Sequence, residues 1–386
     1  MPAAPSRRDL LRLGLAAPLL MALPRSALAR GNWDRTLVLI ELNGGNDGLN
    51  TVVPLTDPLY EKLRPKLAIP KAQTLALSAE AGFHPALAPL MPVWRLGEMA
   101  IAQGVGYPKP NRSHFRSIEI WETASASDEV LDEGWIARLF AGAPPPALNP
   151  ADALVLGNSS RGPFEGGGLR LIVLDRKGEG LKRPDRVSPA THPVRNPALE
   201  HILGVRADLI RAGQALFERP LSGPKPAGDF PASPIGQGLE SAARILMAGL
   251  KVPVLKIAHG SFDTHANQLP QHEKLLSELA QGLAAFRLAL KAAGLWDRVL
   301  VMTYSEFGRR AQENASRGTD HGTAAPHLLI GGRVKGGFYG EAPSLAKLEG
   351  GDLVHTLDFH QLYATVAEGW WGLTPLTGHK PLAVIG

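Results

Sequence analysis

The feature that most constrains this chain is a series of short apolar runs, rich in β-branched residues, each stopped by a polar turn. Thr36 to Leu42 (TLVLIEL) is the clearest, and it ends in Asn43-Gly44-Gly45-Asn46-Asp47-Gly48. A continuous apolar run of this kind reads as a strand buried on both faces of a parallel sheet. Similar runs occupy Met99–Gly104, Ala153–Leu156, Arg170–Leu174, Val254–Ala258, Val299–Tyr304 and Leu328–Gly331. Between several of them lie helical patterns: His84–Leu96, Ser113–Ala124, Gly134–Ala141, Pro197–Phe217, Ile235–Leu250, Pro270–Ala293 and Asp358–Trp371. Asp358 is placed to cap the last of these. Strands alternating with helices predict a three-layer α/β/α sandwich around a mostly parallel sheet.

A length of 386 residues and a hydrophobic content of 44% suit a full core and exclude global disorder. Pro- and Gly-rich stretches at Gly142–Pro150, Gly178–Pro197 and Gly223–Pro234 predict surface excursions. The expected organisation is one domain over 30–386 with a helical and loop insertion around 142–234.

Residues 1–29 have the anatomy of an export signal. Ser6-Arg7-Arg8-Asp9-Leu10-Leu11-Arg12 is a basic start with a twin arginine, and Ala27-Leu28-Ala29 is a small-residue cleavage site. The apolar stretch Leu13–Leu23 is too short to cross a hydrocarbon core of roughly 30 Å as a helix, so no stable membrane span is expected after cleavage. A twin-arginine translocase carries folded proteins, which predicts a periplasmic or secreted protein. An ordinary secretory signal is the alternative. The chain has no cysteine, which fits folding in a reducing compartment before export and leaves metal binding to His, Asp and Glu. The formal charge of +5 falls to +2 without the signal, because Arg7, Arg8, Arg12 and Arg25 against Asp9 carry +3. No basic face with interleaved aromatics points to nucleic acid.

Five polar segments follow predicted strands, where ligands bind in wound α/β sheets. The first is the Asn43–Gly48 turn with Asp47, which reads equally as a turn without a ligand. In the second, Lys109 to Ser117, Ser113 opens a helix as a nucleophile or as a simple N-cap, with Arg112 and His114 beside it. The third holds Asp263 and His265, two residues apart and so on one side of an extended backbone: a metal half-site or a hydrogen-bonded pair. The fourth carries Glu306 with Arg309 and Arg310, and the fifth Asp320 with His321. Glu306 and Arg309 also suit an ordinary salt bridge. His327 begins an apolar run and is set apart from these candidates.

On Gly44-Gly45-Asn46-Asp47-Gly48-Leu49-Asn50, Arg112-Ser113-His114-Phe115, Phe262-Asp263-Thr264-His265 with Gln268, Ser305-Glu306-Phe307-Gly308-Arg309 and Gly318-Thr319-Asp320-His321-Gly322-Thr323, the chain resembles the DUF1501 family of exported bacterial proteins. That family is similar to the alkaline phosphatase and sulfatase superfamily, whose members cleave or transfer phosphate and sulfate esters on an α/β/α sandwich, usually with two metal ions. The resemblance implies Ser113 as nucleophile, Arg112 or Arg309 as charge stabiliser with His114 in the same catalytic segment, and metal ligands among Asp47, Asp263, His265, Glu306 and His321. Phe307 stands where the superfamily has a metal histidine, a loss that implies compensation by Asp320, a site for one metal, or a site for none.

The resulting expectation is a divalent-metal hydrolase of anionic phosphate or sulfate esters, small-molecule or glycan, using zinc, calcium or magnesium. Its alternative is a non-catalytic envelope-binding protein with a degenerate, metal-free site. A structural assembly factor is a third reading, marked by an exposed apolar patch.

Overall fold

The computed structural model describes residues 31–157, 160–174 and 223–386. The expected signal, the helix at 197–217 and much of the expected insertion lie outside the described residues. The strands are β1 (Thr36–Asn43), β2 (Val52–Pro54), β3 (Leu75–Ala76), β4 (Ala81–Phe83), β5 (Met99–Gly106), β6 (Ala153–Leu156) and β7 (Leu171–Leu174). They continue with β8 (Val254–Gly260), β9 (Val299–Tyr304), β10 (Ala325–Gly331), β11 (Gly337–Tyr339), β12 (Leu348–Glu349), β13 (Asp352–Leu353) and β14 (Leu357–Asp358).

One nine-stranded sheet runs β11-β5-β10-β9-β1-β8-β6-β7, with β14 also beside β5. Central β1 is parallel to β8 and β9, and the pairs β8–β6 and β6–β7 are parallel too. Only β10 runs against its neighbours, antiparallel to both β9 and β5. Its first residue therefore stands at the edge where the parallel strands end, so the 305–324 connection begins and finishes at one edge of the sheet.

Alternation along β1 divides the core. Val38, Ile40 and Leu42 pack against the helices Pro234–Met247 and Gln268–Ala292. Leu37 and Leu39 face the opposite layer, with Trp121, Trp135, Trp370 and Trp371. The architecture is the α/β/α sandwich. Two expected helices take tighter or looser forms. Residues 85–95 split into a 3-10 segment, Pro85–Leu90, and a short α-helix, Met91–Arg95, because Pro89 and Pro92 lack the N–H donors of a regular helix. The last helix is α-helical over His360–Ala364 and widens into a π-helix over Thr365–Trp371. Among the described residues no helix is long and apolar enough to cross a membrane.

The sheet also buries a charge cluster that the apolar runs conceal. Lys256 of β8 is fully buried, with Nζ 3.0 Å from both Glu41 of β1 and Glu122 of the helix His114–Thr123. Tyr304 of β9 donates its hydroxyl to Glu41 at 3.3 Å. Two carboxylates on one ammonium offset the cost of burying it, so this part of the sheet is fixed by polar pairing as well as by area.

Burial lowers His327 and His272 to about 3 and His259 to about 4, against an ordinary 6.5. The unfolded chain takes up protons below 6.5 that the folded chain refuses, so stability present above that value is lost as pH falls towards about 3. His327 has no hydrogen-bond partner at Nδ1 and packs edge-on against Trp121. The variant His327→Leu is expected to give a shallower fall of melting temperature over that window; an unchanged slope would exclude His327 as a contributor.

Candidate metal centre

Four loops meet at the carboxyl edge of the sheet. The turn after β1 is built for close approach: Gly44 and Gly45 have φ of +111° and +84°, and a Cβ on Gly45 would lie 2.5 Å from the Phe307 ring. This compactness brings the segment after β9 against the segment after β1, and Glu306 Oε1 accepts the Gly44 N–H at 2.9 Å.

Asp263, in the loop after β8, is the hub. His265 Nε2 lies 3.0 Å and His321 Nε2 3.2 Å from Asp263 Oδ1, and His114 Nε2 lies 3.5 Å from Oδ2. The ligand atoms of His114, Asp263 and His321 all fall within 4.8 Å of one another. Each imidazole is held from behind at Nδ1. His114 is backed by the buried Glu306 carboxylate at 2.8 Å, His321 by the Arg112 carbonyl at 2.8 Å, and His265 by Asp320 at 3.4 Å.

These backing groups decide which nitrogen carries the proton. A carbonyl or a carboxylate accepts, so Nδ1 donates and Nε2 presents its lone pair. The His265 and His321 Nε2 atoms stand 2.9 Å apart, both beside a carboxylate oxygen. Two lone pairs so placed call for a positive charge between them, and the donor set of imidazole nitrogens and one carboxylate oxygen fits a divalent transition metal such as zinc.

The protonation tendencies follow the surroundings. The hydrogen bond from Glu306 holds His114 above the ordinary imidazole value, against the opposing effect of burial. Burial holds His321 below it, partly offset by the Arg112 carbonyl. Burial pushes the Asp263 carboxyl up, but the hydrogen bond and charge of Arg309 outweigh it and leave it low. The Asn314 amide lowers Asp320.

Several expected site residues are placed differently. Asp47 is 1% exposed, and its carboxylate is in a buried ion pair with Arg64 at 2.6 Å and accepts from Gln268, apart from the histidine group. Glu306 and Asp320 stand behind His114 and His265 rather than facing the group. Arg309 is not an open cation. It donates to the carbonyls of Gly45 (2.7 Å), Thr319 (3.0 Å), Phe262 (3.0 Å) and Gly44, and to Asp263 Oδ1 (2.6 Å). Arg112 keeps 44% of its side chain exposed while pairing with Asp352 at 3.1 Å. Ser113 is exposed at the N-cap of the helix His114–Thr123 and makes no capping hydrogen bond through its side chain. In sequence it sits between the Arg112 carbonyl and the His114 ring, both of which belong to the site. Phe307 packs on two of the imidazoles, with ring centroids 4.6 Å from His321 and 4.9 Å from His114.

Two further residues hold this arrangement. Gln268 is fully buried; its amide oxygen accepts from Thr264 (3.1 Å) and Thr319 (2.7 Å) while its amide nitrogen donates to Asp47. Arg64 also donates to the carbonyls of Ala311 and Arg310. A glutamine within the Phe262–Gln268 motif was a visible signal; nothing local in the sequence marks Arg64.

Residues 195–381 match the model of DUF1501, a protein family of unknown function. This stretch of the chain is a DUF1501 region. It contains Asp263, His265, Glu306, Arg309, Asp320 and His321, whereas His114 and Ser113 precede the matched DUF1501 span. No curated protein matches the chain. Among solved structures it is similar to the lipoteichoic acid synthase LtaP from Listeria monocytogenes, at 9% identity over 90% of this chain and 74% of that one, TM-score 0.40. It is also similar to the C-terminal periplasmic domain of EcEptC from Escherichia coli in complex with Zn, at 11% identity over 78% of this chain and 74% of that one, TM-score 0.38. A third is a protein in the alkaline phosphatase superfamily from Vibrio parahaemolyticus, at 10% identity over 80% and 62%, TM-score 0.34.

Replacing Arg309 would leave the Gly44, Gly45, Phe262 and Thr319 carbonyls and the Asp263 carboxylate short of a donor. Arg309→Met is expected to destabilise the fold by about 3–5 kcal/mol in chemical denaturation. A loss below about 1 kcal/mol would mean that the guanidinium is dispensable to these loops.

Proposed function

We propose that this chain is a hydrolase of phosphate or sulfate esters that acts with a divalent cation in the cell envelope. The observation that carries the reading is the convergence of three imidazoles, each backed at Nδ1, on the Asp263 carboxylate. His114, Asp263, His265 and His321 would hold the ion, and this nitrogen-rich set favours zinc over calcium or magnesium. When bound, the cation polarises the ester oxygens and lowers the pKa of the nucleophile.

The chain's own residues do the rest. Ser113 is exposed and precedes the free amides of a ten-residue helix, a position suited to attack on an anionic ester. The accessible guanidinium of Arg112 offsets charge on the non-bridging oxygens, whereas that of Arg309 is buried and engaged with the loop carbonyls and Asp263. Glu306 and Asp320 orient His114 and His265, and Phe307 covers one side of the imidazoles and excludes water there. Export through the twin-arginine translocase belongs to the same reading. It rests on Arg7-Arg8 and the absence of cysteine.

A second reading, a binding protein for an anionic envelope glycan without turnover, is favoured by one observation. The Asp47 carboxylate is already neutralised by Arg64, which leaves one cluster of ligands rather than two at this edge of the sheet.

Zinc-loaded protein is expected to cleave an aryl phosphate or aryl sulfate, with turnover lost in Ser113→Ala. Glu306→Gln should weaken zinc binding by about 10–100-fold, because the backing carboxylate raises the basicity of His114. No turnover with any divalent metal, across pH and a broad ester panel, would overturn the enzymatic reading and favour the binding protein. For export, Arg7→Lys with Arg8→Lys is expected to retain the protein in the cytoplasm in cell fractionation; unchanged export would point to the ordinary secretory route.

A further inference from the structure

A second cluster lies at the far end of the helix that carries His114. Asp358 ends β14, which pairs alongside the last residues of β5, with Asp358 opposite Gly106. His360 opens the next helix, and His379 comes from the C-terminal segment beyond the turn at Gly372. His360 Nδ1 lies 2.7 Å from Asp358 Oδ1, and His379 Nε2 lies 3.7 Å from Asp358 Oδ2. The two imidazoles are stacked, with centroids 4.8 Å apart and planes at 11°.

The outward nitrogens are engaged as well. His360 Nε2 faces the Ala124 carbonyl at 3.3 Å, and His379 Nδ1 faces the Thr377 hydroxyl at 3.0 Å. The carbonyl can only accept, so Nε2 of His360 carries a proton, and in the neutral ring Nδ1 directs a lone pair at the Asp358 carboxylate. A lone pair against a carboxylate oxygen at 2.7 Å needs a cation between them, either a second proton on the ring or a metal ion. A second proton on His360 pairs it with Asp358 alone and leaves His379 Nε2, at 3.7 Å, without a hydrogen bond to the carboxylate, whereas one divalent ion serves all three groups.

We propose that Asp358, His360 and His379 form a second divalent-metal site, of zinc type, separate from the cluster around Asp263. Two imidazole nitrogens and one carboxylate oxygen are a zinc donor set. The edges of a tetrahedron with bonds of about 2.0–2.1 Å measure roughly 3.3 Å, so an ion would open the 2.7 Å contact of His360 with Oδ1 by roughly 0.6 Å and close the 3.7 Å contact of His379 with Oδ2 by roughly 0.4 Å. The hydrogen bond behind each imidazole is the orienting contact that metal-bound histidines make. An ion here ties the C-terminal segment, through His379, to the edge of the sheet, through Asp358. Through His360 and the Ala124 carbonyl it also ties both to the C-cap of the helix His114–Thr123. The site is therefore a clamp on the element that positions His114 and Ser113. It stands independently of the function proposed for that element.

The test is zinc content per chain after metal stripping, equilibrium dialysis against zinc and exhaustive wash, on the full chain and its variants. The background Asp263→Asn with His321→Ala, which removes the first cluster, is expected to retain about one zinc per chain and to melt higher with zinc than without. Adding His379→Ala, at a half-exposed position outside the core, should abolish both the retained zinc and the rise; Asp358→Asn should do the same. Equal zinc content and equal melting shift with and without His379 would overturn the proposal. So would absence of zinc from the Asp263→Asn, His321→Ala background, which would leave the cluster as an ion pair of Asp358 with protonated histidine. Neither outcome depends on whether the protein hydrolyses an ester.

Discussion

Arg309 is almost wholly buried, and its guanidinium gives its donors to carbonyl groups from three separate loops and to the Asp263 carboxylate. Taking such a charge out of water costs several kcal/mol unless every donor is used. Here every acceptor is main chain or the hub of the site, so the guanidinium sets the spacing of the loops after β1 and β8 and the loop before β10. Gln268 does similar work at lower cost. Its amide joins Asp47 to Thr264 and Thr319, which extends the same cross-link from the glycine turn to the start of the helix Gln268–Ala292. This polar frame lies beneath the histidines and ties together the loops that carry them.

The frame also redistributes the acids. In a linear reading Asp47, Glu306 and Asp320 all stand after strands and look alike. In the fold Asp47 is neutralised by Arg64, Glu306 is turned against His114, and Asp320 against His265. Only Asp263 faces inward among imidazoles. A single inward carboxylate with several imidazoles is a softer donor set than the run of acids in the sequence motifs suggests.

Much of this was legible in the sequence. The seven apolar runs coincide with strands of the main sheet because a strand inside a layered sheet must be largely apolar, as TLVLIEL is. Asp263 and His265 were legible as a pair because alternate residues of an extended segment share a side. Arg64 was not, because its partner is 17 residues away and no local pattern records a long-range ion pair. Nor were Lys256 and Glu41, single charges inside apolar runs whose pairing depends on strand neighbours.

What the sequence determined by itself is the layered α/β architecture and the set of polar segments that end its strands, since both follow from local periodicity and turn chemistry. What only the tertiary structure decided is which of those polar groups face one another. The reversal of β10 brings His321 to the edge where β1, β8 and β9 end, and strand direction is not written in an apolar run. The helix His114–Thr123 delivers His114 to Glu306 across 192 residues of chain. Contacts of that range are fixed by packing and by the matching of buried donors to acceptors, which no single segment encodes.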